Sequence, residues 1–73
     1  MIMTLEMMEY MVWVIEVTAE EFFDGDKTAA YNALKDSGVW ALYVETYDTT
    51  HSLGREYLVN EMRERFVKNG VNI

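Results

Sequence analysis

The chain has 73 residues, 51% of them hydrophobic, and its 13 acidic and six basic side chains give a net charge of −7. Such an apolar chain is expected to fold, and its length suits one small domain. The negative charge disfavours nucleic acids and anionic membranes as partners. Because the sequence has no cysteine, disulfides and thiolate metal sites are excluded, so oligomerisation is the expected source of extra stability.

The amino-terminal segment shows no targeting signal. Residues 1–6 lack the basic start of a signal peptide, and apolar runs such as residues 10–15 are far shorter than the roughly 20 residues that cross a bilayer. We therefore expect a cytoplasmic protein, with residues 1–73 forming a single acidic helical domain that does not contact membranes.

Four glycines divide the chain into segments of helical length, and no proline interrupts them. Glycine is common just after the last residue of a helix. The glycines therefore predict an all-α domain of four helices, with a long central amino-terminal helix and three shorter ones. The glycines are Gly25, Gly38, Gly54 and Gly70.

The first predicted helix runs from about Thr4, a plausible N-cap, to about Phe23, and it is apolar over most of its circumference. One apolar row consists of Leu5, Met8, Val12, Ile15, Ala19 and Phe22, and a second row on the opposite side consists of Met3, Met7, Tyr10, Val14 and Val17. Such a helix is either internal to its own domain or lies between the domain and a partner. Methionine-rich surfaces occur at protein interfaces. We therefore expect the second row to face a partner, with these interface residues: Met3, Met7, Tyr10, Met11, Trp13, Val14 and Val17.

The remaining helices follow the same spacing rules. The second begins after Asp24–Asp26, where either aspartate is a good N-cap, and ends at residues 36–38. The third helix is predicted from the spacing of Trp40, Tyr43, Val44 and Tyr47, although the aromatic and β-branched residues of segment 39–47 also suit a strand. The fourth begins near Gly54 or Arg55 and ends at residues 69–70, with an apolar stripe of Leu58, Val59, Met62 and Phe66.

The segment from Asp24 to Thr28 fits the D-x-D-x-T signature of phosphatases of the haloacid-dehalogenase type. Those enzymes need a buried parallel sheet before the aspartates, whereas here a helix precedes them and the chain is too short. As a calcium loop the segment also fails, because Ala29 stands at the glycine position and Lys35 at the glutamate position. We predict a helix-capping turn, and no catalytic, cofactor-binding or metal-binding residue.

His51 is the only histidine. With Glu45 and Asp48 it suggests an acid/base or metal cluster, but no second histidine or cysteine completes one. The favoured interpretation is structural: His51 bonds the backbone or Asp48 in the turn between the third and fourth helices, with Ser52 as a possible N-cap.

A resemblance is carried by Gly38 and Val39, by the structural turn of Tyr47, Asp48, His51 and Gly54, by residues 57–59 and by Gly70. These residues resemble a bacterial family called domain of unknown function 3791, over about residues 5–70. The chain departs from the motif at Thr50, where a leucine is expected. The resemblance implies no activity. It suggests a gene neighbourhood shared with ADP-ribosyltransferase-like proteins. Such a neighbourhood would fit a small acidic antitoxin or accessory subunit.

We therefore predict a non-catalytic protein–protein interaction module, either a homodimer at micromolar concentration or the subunit of a bacterial protein pair. The alternative function is a helix-turn-helix regulator built from the second and third helices. Against that alternative, the recognition helix would carry Glu45 and Asp48 and no basic residue.

Overall fold

Five helices account for most of the computed structural model, which describes residues 3–73 and leaves Met1 and Ile2 outside. They are α1 (Leu5–Phe22), α2 (Lys27–Asp36), α3 (Val39–Glu45), α4 (Tyr47–Thr50) and α5 (Arg55–Lys68). Residues 3–73 contain no strand. The prediction of an all-α domain is therefore confirmed, and the strand interpretation of residues 39–47 is wrong.

Two predicted N-caps are confirmed by hydrogen bonds. Thr4 Oγ1 accepts from the Met7 N–H at 3.2 Å, and Asp26 Oδ1 accepts from the Ala29 N–H at 3.0 Å. The first turn of a helix has four N–H groups without an intrahelical partner, so each cap satisfies one of them. These caps explain why α1 and α2 begin where the sequence predicts.

The predicted layout of four helices needs a correction, because the third predicted helix is two helices. The break falls at Thr46, whose φ of −104° and ψ of 18° are not helical. The Thr46 hydroxyl donates to the Leu42 carbonyl, and the Thr46 carbonyl accepts from the backbone N–H groups of Thr49 and Thr50. Threonine hydroxyls compete with helical hydrogen bonds in this way, and the chain changes direction at such points.

The core lies between α1 and the helices α2, α3 and α5, all of which contact it. On α1 the core residues are Tyr10, Met11, Val14 and Val17, which we call the inner row. They cluster with Leu34 of α2, Val39 and Tyr43 of α3, and Leu58, Val59, Met62 and Phe66 of α5. The apolar stripe predicted for the last helix is thus wholly buried.

The carboxyl end of α1 is fastened to α5 by both charged and aromatic contacts. Arg55 Nη1 donates to Glu21 Oε1 at 2.7 Å and Arg55 Nη2 donates to Glu20 Oε2 at 3.2 Å. Phe22 and Phe23 both place their ring edges near the Phe66 ring, with centroids 5.6 and 6.4 Å away. These contacts lie at the carboxyl end of α1, and residues 5–13 of the helix are more exposed than residues 14–22.

Candidate functional site

The largest uncovered apolar side chains of α1 form a row on its outer side. Leu5 is 63% exposed, Met8 45% and Val12 54%, and we call these three residues the outer row. Farther along the same side, Ile15 is half-buried and Ala19 is buried, since α2 packs against α1 there. The exposed part of this side is therefore confined to the amino-terminal half of α1.

The outer row borders two adjoining hollows. One, of about 410 Å³, is lined by Leu5, Met8, Glu9, Val12, Trp13 and Glu16. The other, of about 340 Å³, is lined by Val12, Ile15, Glu16, Lys27, Thr28 and Tyr31. Because Val12 and Glu16 belong to both, the hollows form one continuous depression, which we call the α1–α2 groove. Most of its lining side chains are apolar.

The charge of the α1–α2 groove is predominantly negative. Glu9 and Glu16 line it seven residues apart, and this spacing puts both carboxylates on the same side of α1. Lys27 is the single cation in the lining, and its Nζ lies 4.0 Å from Glu16 Oε1 with both side chains largely exposed. An ion pair this exposed contributes little to stability. The groove thus combines an apolar floor with one acidic border.

The structure corrects the assignment of the two apolar rows of α1. Of the seven predicted interface residues, four form the inner row and are at most 8% exposed: Tyr10, Met11, Val14 and Val17. Leu5, Met8 and Val12 of the first row are the exposed side chains instead. The physical reason is that α3 and α5 bring Tyr43, Met62 and Phe66 against the inner row, so only one side of α1 is fully covered.

The other three predicted interface residues are half-buried. Trp13 lines the α1–α2 groove, and its ring centroid lies 5.8 Å from that of Tyr10. Met7 lines a separate hollow of about 220 Å³ beside Val44 and Tyr47. Met3 packs against the core cluster.

Periodicity alone did not show that the outer row is exposed. The neighbouring Glu9 and Glu16 could have indicated the exposed side of α1, since acidic residues favour water over a core.

The predicted structural turn is assembled around His51. Its Nδ1 lies within hydrogen-bond distance of the Tyr47 carbonyl, and its ring stacks on the Tyr47 ring with centroids 4.4 Å apart. The Tyr10 ring meets both rings edge-on. The predicted bond from His51 to the backbone is therefore confirmed. Asp48 is exposed, and Gly54 rather than Ser52 occupies the N-cap position of α5.

The acidic residues of the D-x-D-x-T segment lie in the loop between α1 and α2. Asp26 caps α2, and Asp24 has a left-handed backbone with φ of 52°. Among residues 3–73 no strand ends near these aspartates, although that phosphatase chemistry requires one. Within residues 3–73, no group of three or more His, Asp or Glu side chains is placed to hold a metal ion.

Tyr43 carries the one buried side-chain polar atom without a hydrogen-bond partner among the described residues, its hydroxyl oxygen. The side chain is 1% exposed, and this burial raises the pKa of Tyr43 above its ordinary value. The nearby Glu61 carboxylate raises the pKa further, because a second negative charge would be disfavoured there. Tyr43 belongs to the hydrophobic core cluster, so we assign the hydroxyl to the core.

The proposed recognition helix of a helix-turn-helix regulator corresponds to α3, which follows α2 through Gly38. It has seven residues, one of them Glu45, and no lysine or arginine. Groove-binding helices use cationic side chains to contact phosphates. The regulator function therefore remains a prediction without support from α3. Among residues 3–73, no helix is long and apolar enough to cross a membrane.

Comparison with known proteins agrees with the resemblance noted in the sequence. No characterised protein and no solved structure matches the chain. The model of one family, described as "Protein of unknown function (DUF3791)", matches residues 9–69, which include most of α1 and all of the remaining helices. The chain therefore belongs to the DUF3791 family.

Proposed function

We propose that this domain is a non-catalytic protein-binding module and that the outer face of α1 is its binding surface. The observation that carries the proposal is the exposure of the outer row, three large apolar side chains side by side on one helix. Fully burying an exposed side chain of this kind is worth roughly 1.5–3 kcal/mol, and these three are about half exposed, so a partner that covers them gains about half of that free energy from each. Contiguous exposed apolar surface of this kind marks interaction sites.

The role we assign is that of an accessory or antitoxin-like subunit of a bacterial protein pair. Such a subunit needs a binding surface and no reaction centre of its own. Two kinds of partner satisfy the proposal: a second copy of the chain, as in the predicted homodimer, or a different protein. Either partner would cover the outer row in the cell.

Site-specific photo-crosslinking tests the proposal through a matched pair of valines. Val12 is 54% exposed in the outer row, and Val67 is 65% exposed on α5, outside the α1–α2 groove. A photoreactive amino acid replaces each valine in turn in the cells that naturally make the protein. We expect a light-dependent protein adduct at position 12 and none at position 67, and mass spectrometry identifies the adduct. Equal yields at both positions, or no adduct at either, would contradict the proposal.

A further inference from the structure

We propose that the α1–α2 groove binds an amphipathic helix of a different protein, whose apolar stripe is bordered on one side by lysine or arginine. This inference rests on the proposed function and names the class of partner. Two features of the groove support it: its elongated apolar floor and its single acidic border.

The shape of the groove fits a helix. The outer row spans two turns of α1, from Leu5 to Val12, and the depression continues past Ile15 to Tyr31 in the middle of α2. An apolar surface that runs along a helix in this way accepts a second helix whose apolar residues recur at spacings of three and four. The apolar stripe of such a helix would contact Leu5, Met8 and Val12 at successive turns.

The charge of the groove selects the partner. Glu9 and Glu16 border the floor on one side, and a partner helix lying along the floor places one of its own flanks opposite them. Lysine or arginine on that flank would pair with both carboxylates, and the chain's net charge of −7 would speed the approach of a basic segment. The weak, exposed pair between Glu16 and Lys27 leaves Glu16 accessible to such a cation.

The same charge argues against a second copy in this groove. When two identical helices pack antiparallel about a two-fold axis, each flank meets the same flank of its partner. Glu9 of one copy would then face Glu16 of the other, and like charges across an interface are unfavourable. A basic helix from another protein avoids this repulsion and gains attraction instead.

Labelled helical peptides test the inference by fluorescence anisotropy with the intact protein. The first peptide carries leucines at spacings of three and four and lysines on one flank. The second has the same leucines with glutamates on that flank, and the third has the composition of the first with its stripe scrambled. We expect the lysine peptide to bind at least about tenfold more tightly than either of the others. Equal binding of the glutamate or the scrambled peptide would overturn the inference.

Matched variants locate the binding. Val12→Asp should abolish binding of the lysine peptide, whereas Val67→Asp, at a somewhat more exposed valine on α5, should leave it unchanged. Glu16→Gln should weaken binding, and Glu64→Gln, which removes an exposed charge from α5, should weaken it less. Loss of binding in the Val67 variant alone, or in all four variants equally, would place the peptide elsewhere and overturn the inference.

The two proposals fail in different ways. If crosslinking at position 12 captures another protein but the lysine peptide does not bind, the inference fails and the protein-binding function stands. If the captured protein is a second copy, and sedimentation shows a dimer that Val12→Asp dissociates, the homodimer replaces the basic helix. If nothing is captured at position 12, the proposed function itself fails.

Discussion

The inner and outer rows of α1 have nearly the same sequence character but opposite surroundings. Both contain methionine and valine at spacings of three and four. The inner row is at most 8% exposed, whereas the outer row is between 45% and 63% exposed. Helical periodicity therefore shows that a face is apolar, but it does not show whether the chain's own helices or another molecule cover that face.

The difference follows from what the other helices offer. α3 and α5 supply large buried side chains, Tyr43, Met62 and Phe66, and all three belong to the cluster of the inner row. α2 supplies only Ala30 and Leu34 as buried residues, and it packs against α1 beside Val12 and Ile15. A domain this small has too few side chains to cover both sides of an 18-residue helix.

The sharpest test compares two methionines on opposite sides of α1. Met11 is 2% exposed and Met8 is 45% exposed. Met11→Ala should lower the free energy of unfolding by about 2–5 kcal/mol, because it removes a buried side chain and leaves a cavity. Met8→Ala should change it by less than about 0.5 kcal/mol. Urea denaturation followed by circular dichroism measures both, at a concentration where sedimentation shows monomers. A larger loss for Met8 would mean that the outer row is the buried one.

Gly54 occupies the N-cap position of α5, the helix that contributes Leu58, Met62 and Phe66 to the cluster of the inner row. Its φ of 90° and ψ of 168° lie in a region that residues with a side chain rarely adopt, and no heavy atom would contact an added Cβ. Gly54→Ala should therefore cost about 1–3 kcal/mol through backbone strain alone. Ser52→Ala, in the same loop, is the control and should be nearly neutral. A loss of about 1 kcal/mol for the Ser52 variant would restore serine as a cap of α5.

A substitution at Tyr43 tests whether its buried hydroxyl, in the core beside the inner row, lacks a hydrogen-bond partner. Tyr43→Phe removes a buried hydroxyl that has no hydrogen-bond partner among the described residues. We expect the variant to be more stable than the parent by about 1 kcal/mol, because an unsatisfied buried hydroxyl is unfavourable. Thermal unfolding measures the change. A loss of stability would show that the hydroxyl is bonded in solution.

The same substitution gives a pH dependence with a definite sign. Burial raises the pKa of Tyr43 in the folded state, so the tyrosine ionises first in the unfolded chain, at about pH 10. Its contribution to stability is complete below that pH and is lost as the pH rises further. The parent should therefore lose more stability than Tyr43→Phe between about pH 8 and pH 11. A constant difference between the two proteins would contradict burial of Tyr43.

His51 gives the smallest expected effect, because it contacts Tyr10 of the inner row only from the surface. His51→Ala should cost about 0.5 kcal/mol, since it removes one hydrogen bond to the Tyr47 carbonyl and a stacked ring from an exposed position. His51→Gln, which keeps a polar side chain, should cost less. Thermal melts with and without zinc are the measurement. A zinc-dependent rise in the parent that both variants lose would instead indicate a metal site.

Much of the secondary structure could be predicted because its causes are local. The side chains of Thr4 and Asp26 accept hydrogen bonds from backbone N–H groups only three residues later in the chain. Both partners of each bond are therefore visible in a short stretch of sequence. The apolar stripe of α5 could be predicted in the same way, because most of the other residues of that helix are charged or polar. The break at Thr46 was missed because several threonine hydroxyls act there together, and the apolar spacing of residues 40–47 continues across it.

The candidate site was only half predictable. The sequence by itself determined that α1 is apolar on two sides and that acidic residues accompany it, and it led to the prediction that this helix provides a binding surface. Only the tertiary structure decided that Leu5, Met8 and Val12 are the exposed side, because α3 and α5 pack against Tyr10, Met11, Val14 and Val17. That choice depends on contacts between residues more than 30 positions apart in the chain, such as Thr18 with Met62. No local spacing rule records such contacts, since they arise only when whole helices pack.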